Sequence, residues 1–319
     1  MSFADIYGQK RAINLLQADF KQGRVGHAYL FYGPAGVGKC KTAAVFAKLL
    51  NCEQPKNLEP CGFCTACRKF STGNFPDLAI VEPVGQSLKI EQIRALQEKI
   101  YLKSYEGKYK VIIIKEADLM TNQAANSLLK ILEEPPQKTV FILLVSDLSK
   151  LPVTICSRCQ LLAFTYLSDE ILSKLLQEKG ERSAAVLLLA QGSVTKARQI
   201  MQADFGDKIE KRFEVLQKKG YWEWLLWAKE LAEDENLSEF MLEWLLIVYH
   251  QRLLELTVEE RELGKISQAV VKGCFKALEE INQTIFYLRN KGNRRLAWEV
   301  LFLKLSKIEQ SEGGVALYG

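Results

Sequence analysis

The sequence predicts an α/β domain followed by an all-α region, and three observations carry that expectation. A glycine loop, Gly33-Pro34-Ala35-Gly36-Val37-Gly38-Lys39-Cys40, lies between the apolar run His27–Tyr32 and a helical pattern from Lys41 to Leu50. Strand, glycine loop and helix in that order form a phosphate-binding loop. Val111-Ile112-Ile113-Ile114 and the run Val140 to Val145 are nearly unbroken apolar stretches, as in strands buried on both faces of a parallel sheet. All eight prolines lie at or before Pro152, whereas all five tryptophans lie at or after Trp222. Proline is excluded from helix interiors, so the proline-free remainder reads as helical.

The chain has 319 residues, 48% hydrophobic and 25% charged, enough for two or three domains with proper cores. No signal peptide and no membrane-length apolar run is visible, so a cytoplasmic location is expected. The net charge of +5 is uneven: residues through Tyr166 carry +7 and the remainder −2. A basic first half suits a phosphate-bearing partner, and equally a plain solvated surface.

Taken in order, Lys10 to Gln22 is an amphipathic helix with Ile13, Leu16 and Phe20 on one face, stopped by Gly23. The strand at His27–Tyr32, the loop and its helix follow. In the loop, backbone N–H groups can curl around an anion, the helix N-terminus adds its dipole, and Lys39 reaches terminal phosphates. Cys40 stands where magnesium wants the hydroxyl of Ser or Thr, and a thiol is a poor ligand for that hard ion.

An insertion rich in Cys, Pro and Gly then runs from Asn51 to Phe75. Cys52, Cys61, Cys64 and Cys67 are spaced C-x8-C-x2-C-x2-C. Four thiolates can close a tetrahedral shell around Zn²⁺, leaving no open position, hence a structural role. An iron–sulfur cluster or unrelated thiols are the alternatives.

Leu78–Val81 is a second strand, and Ile90–Ile100 a helix with Ile93, Leu96 and Ile100 at helical spacing. The exterior of that helix is basic and includes Arg94, a weak candidate for DNA contact or simply a solvated face. The strand at Val111–Ile114 ends in Lys115-Glu116-Ala117-Asp118. A nucleotide hydrolase places a metal-holding Asp at the first of these positions. Here it is Lys115, and a cation cannot hold a cation; Glu116 keeps the acidic second position. Thr121 caps a helix, Asn122 to Glu133, stopped by Pro135-Pro136. Ser146, just beyond the strand Val140–Val145, is a candidate γ-phosphate sensor, and a loop leads to Thr154-Ile155-Cys156-Ser157-Arg158-Cys159.

The remainder is read as helices at Ser168–Gly180, Ser183–Leu189, Gly192–Ala203, Lys211–Ala232, Ser238–Leu256, Ile266–Arg289 and Arg294–Gln310, with a frayed glycine-rich tail. Met241, Trp244, Leu245 and Val248 form the core stripe of a helix bundle.

The phosphate loop, the four-cysteine insertion directly after its helix and Ser157-Arg158-Cys159 come in an order that resembles the clamp-loader branch of the AAA+ proteins, the clamp-loader subunits of bacterial DNA polymerase III. The strings Leu128 to Pro136 and Thr154 to Cys159 carry the likeness, which covers the chain to about residue 205. It implies an AAA+ parallel-sheet core at 1–166 with a zinc module at about 51–70, a helical lid at 167–206 and a helical collar at 207–319. It also implies that Arg158 is an arginine finger supplied in trans, against the plain alternative of a surface ion pair. Partners implied are tau/gamma and delta subunits, a sliding clamp, and primer–template DNA through the assembled complex. The ATPase members carry Thr, Asp and Arg where this chain has Cys40, Lys115 and Thr195, with Lys196 and Arg198 near the last.

Losing two magnesium-holding positions together should nearly abolish hydrolysis, and with the resemblance this implies a catalytically silent subunit of the replicative DNA polymerase holoenzyme that can still hold ATP or ADP. The alternatives are an active tau/gamma-type ATPase with unusual ligands, and a zinc-containing DNA-binding recombination mediator.

Overall fold

The computed structural model of the chain describes residues 1–101, 106–177, 184–202, 221–263 and 268–311. The expected helical stretch at 211–220, the join near 206 and the glycine-rich tail lie outside the described residues. The chain divides into two compact units, Met1–Leu172 and Ser173–Gly319.

The first unit is built on five parallel strands: β1 (Ala28–Tyr32), β2 (Leu78–Val81), β3 (Lys110–Ile114), β4 (Thr139–Val145) and β5 (Gln160–Ala163), in the order β2-β3-β4-β1-β5. Among the described residues six α-helices accompany them: α1 (Lys10–Lys21), α2 (Lys39–Leu50), α3 (Thr65–Ser71), α4 (Ile90–Ile100), α5 (Asn122–Glu133) and α6 (Val153–Cys156). Side chains alternate across a strand. Tyr29, Phe31, Val111, Ile113, Val140 and Ile142 therefore face one layer, with Ile13 and Leu16 of α1 and Val45, Phe46 and Leu49 of α2. Leu30, Ile112, Ile114, Phe141 and Leu143 face the other, with Ile93 and Leu96 of α4 and Leu128 and Ile131 of α5. Both faces are thus covered, which is why β3 and β4 read as unbroken apolar runs.

Local chemistry sets the element ends. Thr121 Oγ1 accepts the Ala124 N–H at 3.3 Å, the cap expected for α5. The strand β5 and the short helices α3 and α6 were not expected from sequence. In β5, Gln160, Leu161 and Ala163 are exposed and only Leu162 is buried, so this edge strand lacks the apolar signature of its neighbours. The helix α3 starts because the Cys64 thiol accepts the Cys67 N–H, a cap hidden inside the cysteine motif.

The helix α7 (Asp169–Gln177) spans the division between the units. The second unit is helical: α8 (Ala184–Ala190), α9 (Val194–Gln202), α10 (Tyr221–Glu233), α11 (Glu235–Leu263), α12 (Gln268–Arg289) and α13 (Arg294–Ser311). The expected stripe of α11, Met241, Trp244, Leu245 and Val248, is buried. The rings of Trp227 on α10 and Phe302 on α13 stack at 5.6 Å, and Trp298 Nε1 donates to Ser238 Oγ at 2.8 Å. That hydrogen bond lets a large ring be buried without an orphaned donor. The helix α11 runs from Glu235 to Leu263, past both ends of the span expected for it.

Candidate functional site

Parallel strands present their C-terminal ends along one edge of the sheet, where ligands of open α/β folds sit. Tyr32 pairs with Val145 and Ile114 with Leu143, so the loops after β1, β3 and β4 emerge together there. Gly33 leaves β1 with φ +138°, and a Cβ at that position would lie 2.1 Å from the Phe164 carbonyl oxygen. Gly38 adopts φ +105° as the residue capping α2. Only glycine fits both the path and the close approach.

Lys39 is 8% exposed, and its ammonium donates to the Gly33 carbonyl and, at 2.6 Å, to the Pro34 carbonyl. Burial pushes its pKa down to about 8, opposed by the charge of Asp118. Cys40 is exposed in the first turn of α2. Lys115, at the end of β3, forms an ion pair with Glu82, which follows β2. The hydrogen bond to Glu82 holds the Lys115 pKa above its usual value, and Cys40 lies within electrostatic reach. An ammonium thus lies at the end of β3, paired with Glu82 and within electrostatic reach of Cys40 at the start of α2. Glu116 is exposed with φ +48°.

Ser146 is exposed, and its backbone N–H and that of Asp147 each lie 3.3 Å from Asp118 Oδ2. Asp118 Oδ1 is buried with no hydrogen-bond partner. Asp118 and Glu82 are the site residues that sequence reasoning missed. Their signal was positional: each lies just beyond the C-terminal end of a parallel strand.

Arg158 lies elsewhere, on the turn after α6. Its guanidinium donates to Glu133 at 2.8 Å and to the Thr154 carbonyl at 3.0 Å, and it remains about a third exposed (36%). Within the chain Arg158 does form an ion pair, and that pair holds the side chain at the surface. Cys156 and Cys159 flank it and pack partly against the core; burial pushes the Cys159 thiol up to about 12, so it is no ready thiolate. Arg94 is exposed on α4, apart from the phosphate loop in sequence and strand topology. In the second unit Thr195 is exposed and Lys196 is paired with Glu243 of α11.

The four cysteines of the insertion converge. Their sulfurs lie within 4.8 Å of one another, with Cys61 to Cys67 at 3.9 Å and Cys67 to Cys52 at 3.7 Å. A tetrahedron of sulfurs about 2.3 Å from a central Zn²⁺ has edges of about 3.8 Å, so the donor set fits a four-thiolate metal site. Disulfides need about 2.05 Å. Backbone N–H groups of Cys61, Cys64 and Cys67 donate to the sulfurs of Cys52, Cys61 and Cys64 at 3.3–3.4 Å, as partners that stabilise thiolates. The cluster is fastened to the core by Lys108 on the Cys52 carbonyl and by Asn51 on the Tyr109 N–H.

The parallel sheet order, the glycine loop after β1 and the helical second unit together make an AAA+ fold. A crystal structure of a DNA polymerase III gamma subunit-related protein from Thermotoga maritima has this fold, with TM-score 0.51 and 16% identity over 93% of this chain and 99% of that one. Residues 8–168 match the family described as "DNA polymerase III, delta subunit". The delta-prime subunit of DNA polymerase III from Bacillus subtilis (strain 168) is 34% identical over 285 residues, 85% of this chain and 83% of that protein. The chain belongs to the family of bacterial DNA polymerase III delta-prime subunits. The chain also resembles the tau subunit of Escherichia coli (strain K12), 41% identical over 158 residues, half of this chain and 24% of tau.

Proposed function

We propose that this clamp-loader subunit acts as a silent member of a ring of related subunits, giving Arg158 to the ATP site of a neighbour while hydrolysing nothing itself. The observation that carries the reading is Lys115, ion-paired with Glu82 after β3 and within electrostatic reach of Cys40. A hydrolase needs an acidic metal ligand there, and Cys40 removes the second hard ligand. Without magnesium, charge building on the β- and γ-oxygens has no counterion, so turnover fails. Arg158 supports the other half: a guanidinium held by Glu133 at the surface is positioned before any partner arrives, which lowers the entropy cost of engaging a γ-phosphate.

In this reading the chain comprises an AAA+ core at 1–166, a lid at 167–206 and a collar at 207–319 that joins the helices of other subunits. Its partners are tau/gamma and delta subunits, a sliding clamp, and primer–template DNA reached through the assembled ring. Arg94 offers a phosphate contact there. The cysteines hold structural zinc, and the cell location is the cytoplasm, where free thiols persist. Ser146, tethered through Asp118, shapes the loop edge without sensing hydrolysis.

Mixing the purified chain with tau/gamma-type and delta subunits tests the proposal. A stable hetero-oligomer is expected, while the chain alone shows no ATP turnover above background and Lys39→Ala changes nothing in that assay. Turnover by the isolated chain, lost in Lys39→Ala, favours the active tau/gamma-type ATPase instead.

A further inference from the structure

Replacing a carboxylate by an ammonium at the metal position changes the local charge by two units, the same change that a magnesium ion makes. We propose that the loop binds the diphosphate group of a nucleotide without a divalent metal, the Lys115 ammonium standing where other phosphate loops hold magnesium. The inference rests on the reading of this loop as hydrolytically silent.

The donors of such a site are all in place. Gly33, Gly36 and Gly38 hold the loop at positive φ, and the loop leads into the N-terminus of α2, a twelve-residue helix. Lys39 opens α2 and Lys115 follows β3, with Asp118 in electrostatic reach of the first and Cys40, beside Lys39, of the second. Both ammonium groups are satisfied now by partners an anion can displace. Lys39 donates to the Gly33 and Pro34 carbonyls, and Lys115 pairs with Glu82, whose side chain is 57% exposed. An exposed ion pair is weakly held, so a diphosphate with several charges competes well for Lys115.

The opposing charges are Glu82, Glu116 and Asp118. Glu116 is exposed and screened by solvent. Asp118 faces the backbone N–H groups of Ser146 and Asp147, which take part of its charge. Glu82 is the direct competitor. Cys40 gives magnesium no oxygen ligand, so the ion has little to hold it even when present.

The test is ADP binding to the zinc-loaded full chain by calorimetry, in magnesium-free buffer without chelator and with added magnesium. Wild type is expected to bind ADP with the same Kd in both, within about twofold, and AMP at least about tenfold more weakly. Without magnesium, Lys115→Ala should weaken ADP about tenfold or more, and Glu82→Gln should tighten it severalfold by freeing Lys115. Lys115→Asp should make binding depend on magnesium. Circular dichroism of each variant keeps loss of folding apart from loss of the site. Wild-type binding that tightens tenfold with magnesium, an absence of ADP binding, AMP binding as well as ADP, or folded Lys115→Ala with unchanged affinity would each overturn the proposal. Turnover of ATP by the isolated chain bears instead on the silent-loop reading, so the two failures are distinguishable.

Discussion

At the scale of single residues, the phosphate loop is shaped by constraints stronger than any catalytic need. Gly33 has no room for a side chain: a Cβ would meet the Phe164 carbonyl at 2.1 Å, on a backbone at φ +138°. Gly33→Ala should therefore destabilise the first unit by about 2 kcal/mol or more, seen as a lower urea midpoint, whether or not nucleotide is present. A midpoint unchanged within error contradicts this packing. Lys39 adds a pH dependence. Its pKa is depressed to about 8 by burial, so it is protonated below that value and neutral above it, whereas the unfolded chain keeps the charge to much higher pH. Burial of the cation costs stability below pH 8, and the cost is relieved as pH rises. Anion affinity runs the other way: ADP binding in magnesium-free buffer should fall as pH rises from 7 to 9, and titration calorimetry across that range checks it. Some of this was legible beforehand. The glycines, Lys39, Cys40 and Lys115 were named from spacing and charge alone, because the motif is local in sequence. Asp118 and Glu82 were not, since what they touch depends on strands separated by many residues.

Among the elements, the cysteine insertion is the most self-contained. Four thiols converge and are fastened to the core through Lys108, Asn51 and the Cys64 cap of α3. The spacing made the donor set visible, and the helix inside it was missed because its cap is a cysteine rather than Ser, Thr or Asp. With zinc bound, metal affinity is folding free energy for this segment. Chelation, or Cys67→Ser, should raise proteolytic cleavage between residues 51 and 75 while the sheet keeps its circular dichroism signal. Equal protection with and without chelator contradicts a structural metal. The strand β5 was missed for the opposite reason: at a sheet edge three of its four residues are exposed, and propensity without burial gives little signal. The central strands, buried on both faces, could be read from their apolar runs.

For the whole molecule, the parallel-sheet unit and the helical unit were both legible, the first from motif order and the second from proline exclusion and tryptophan placement. How the chain works as one subunit among several was legible only through resemblance, because a residue that acts in another chain's site leaves no partner in its own. Arg158 illustrates this. Charge and exposure alone fit an ordinary surface pair with Glu133, and such a pair is present. The proposed role is therefore decided in the assembled ring. The direct measurement is clamp- and DNA-stimulated ATPase of a ring reconstituted with wild-type chain or with Arg158→Ala, with subunit stoichiometry checked by native mass spectrometry. The account predicts unchanged assembly and a fall in ATPase of about tenfold or more. Full ATPase activity in a completely assembled Arg158→Ala ring would contradict it.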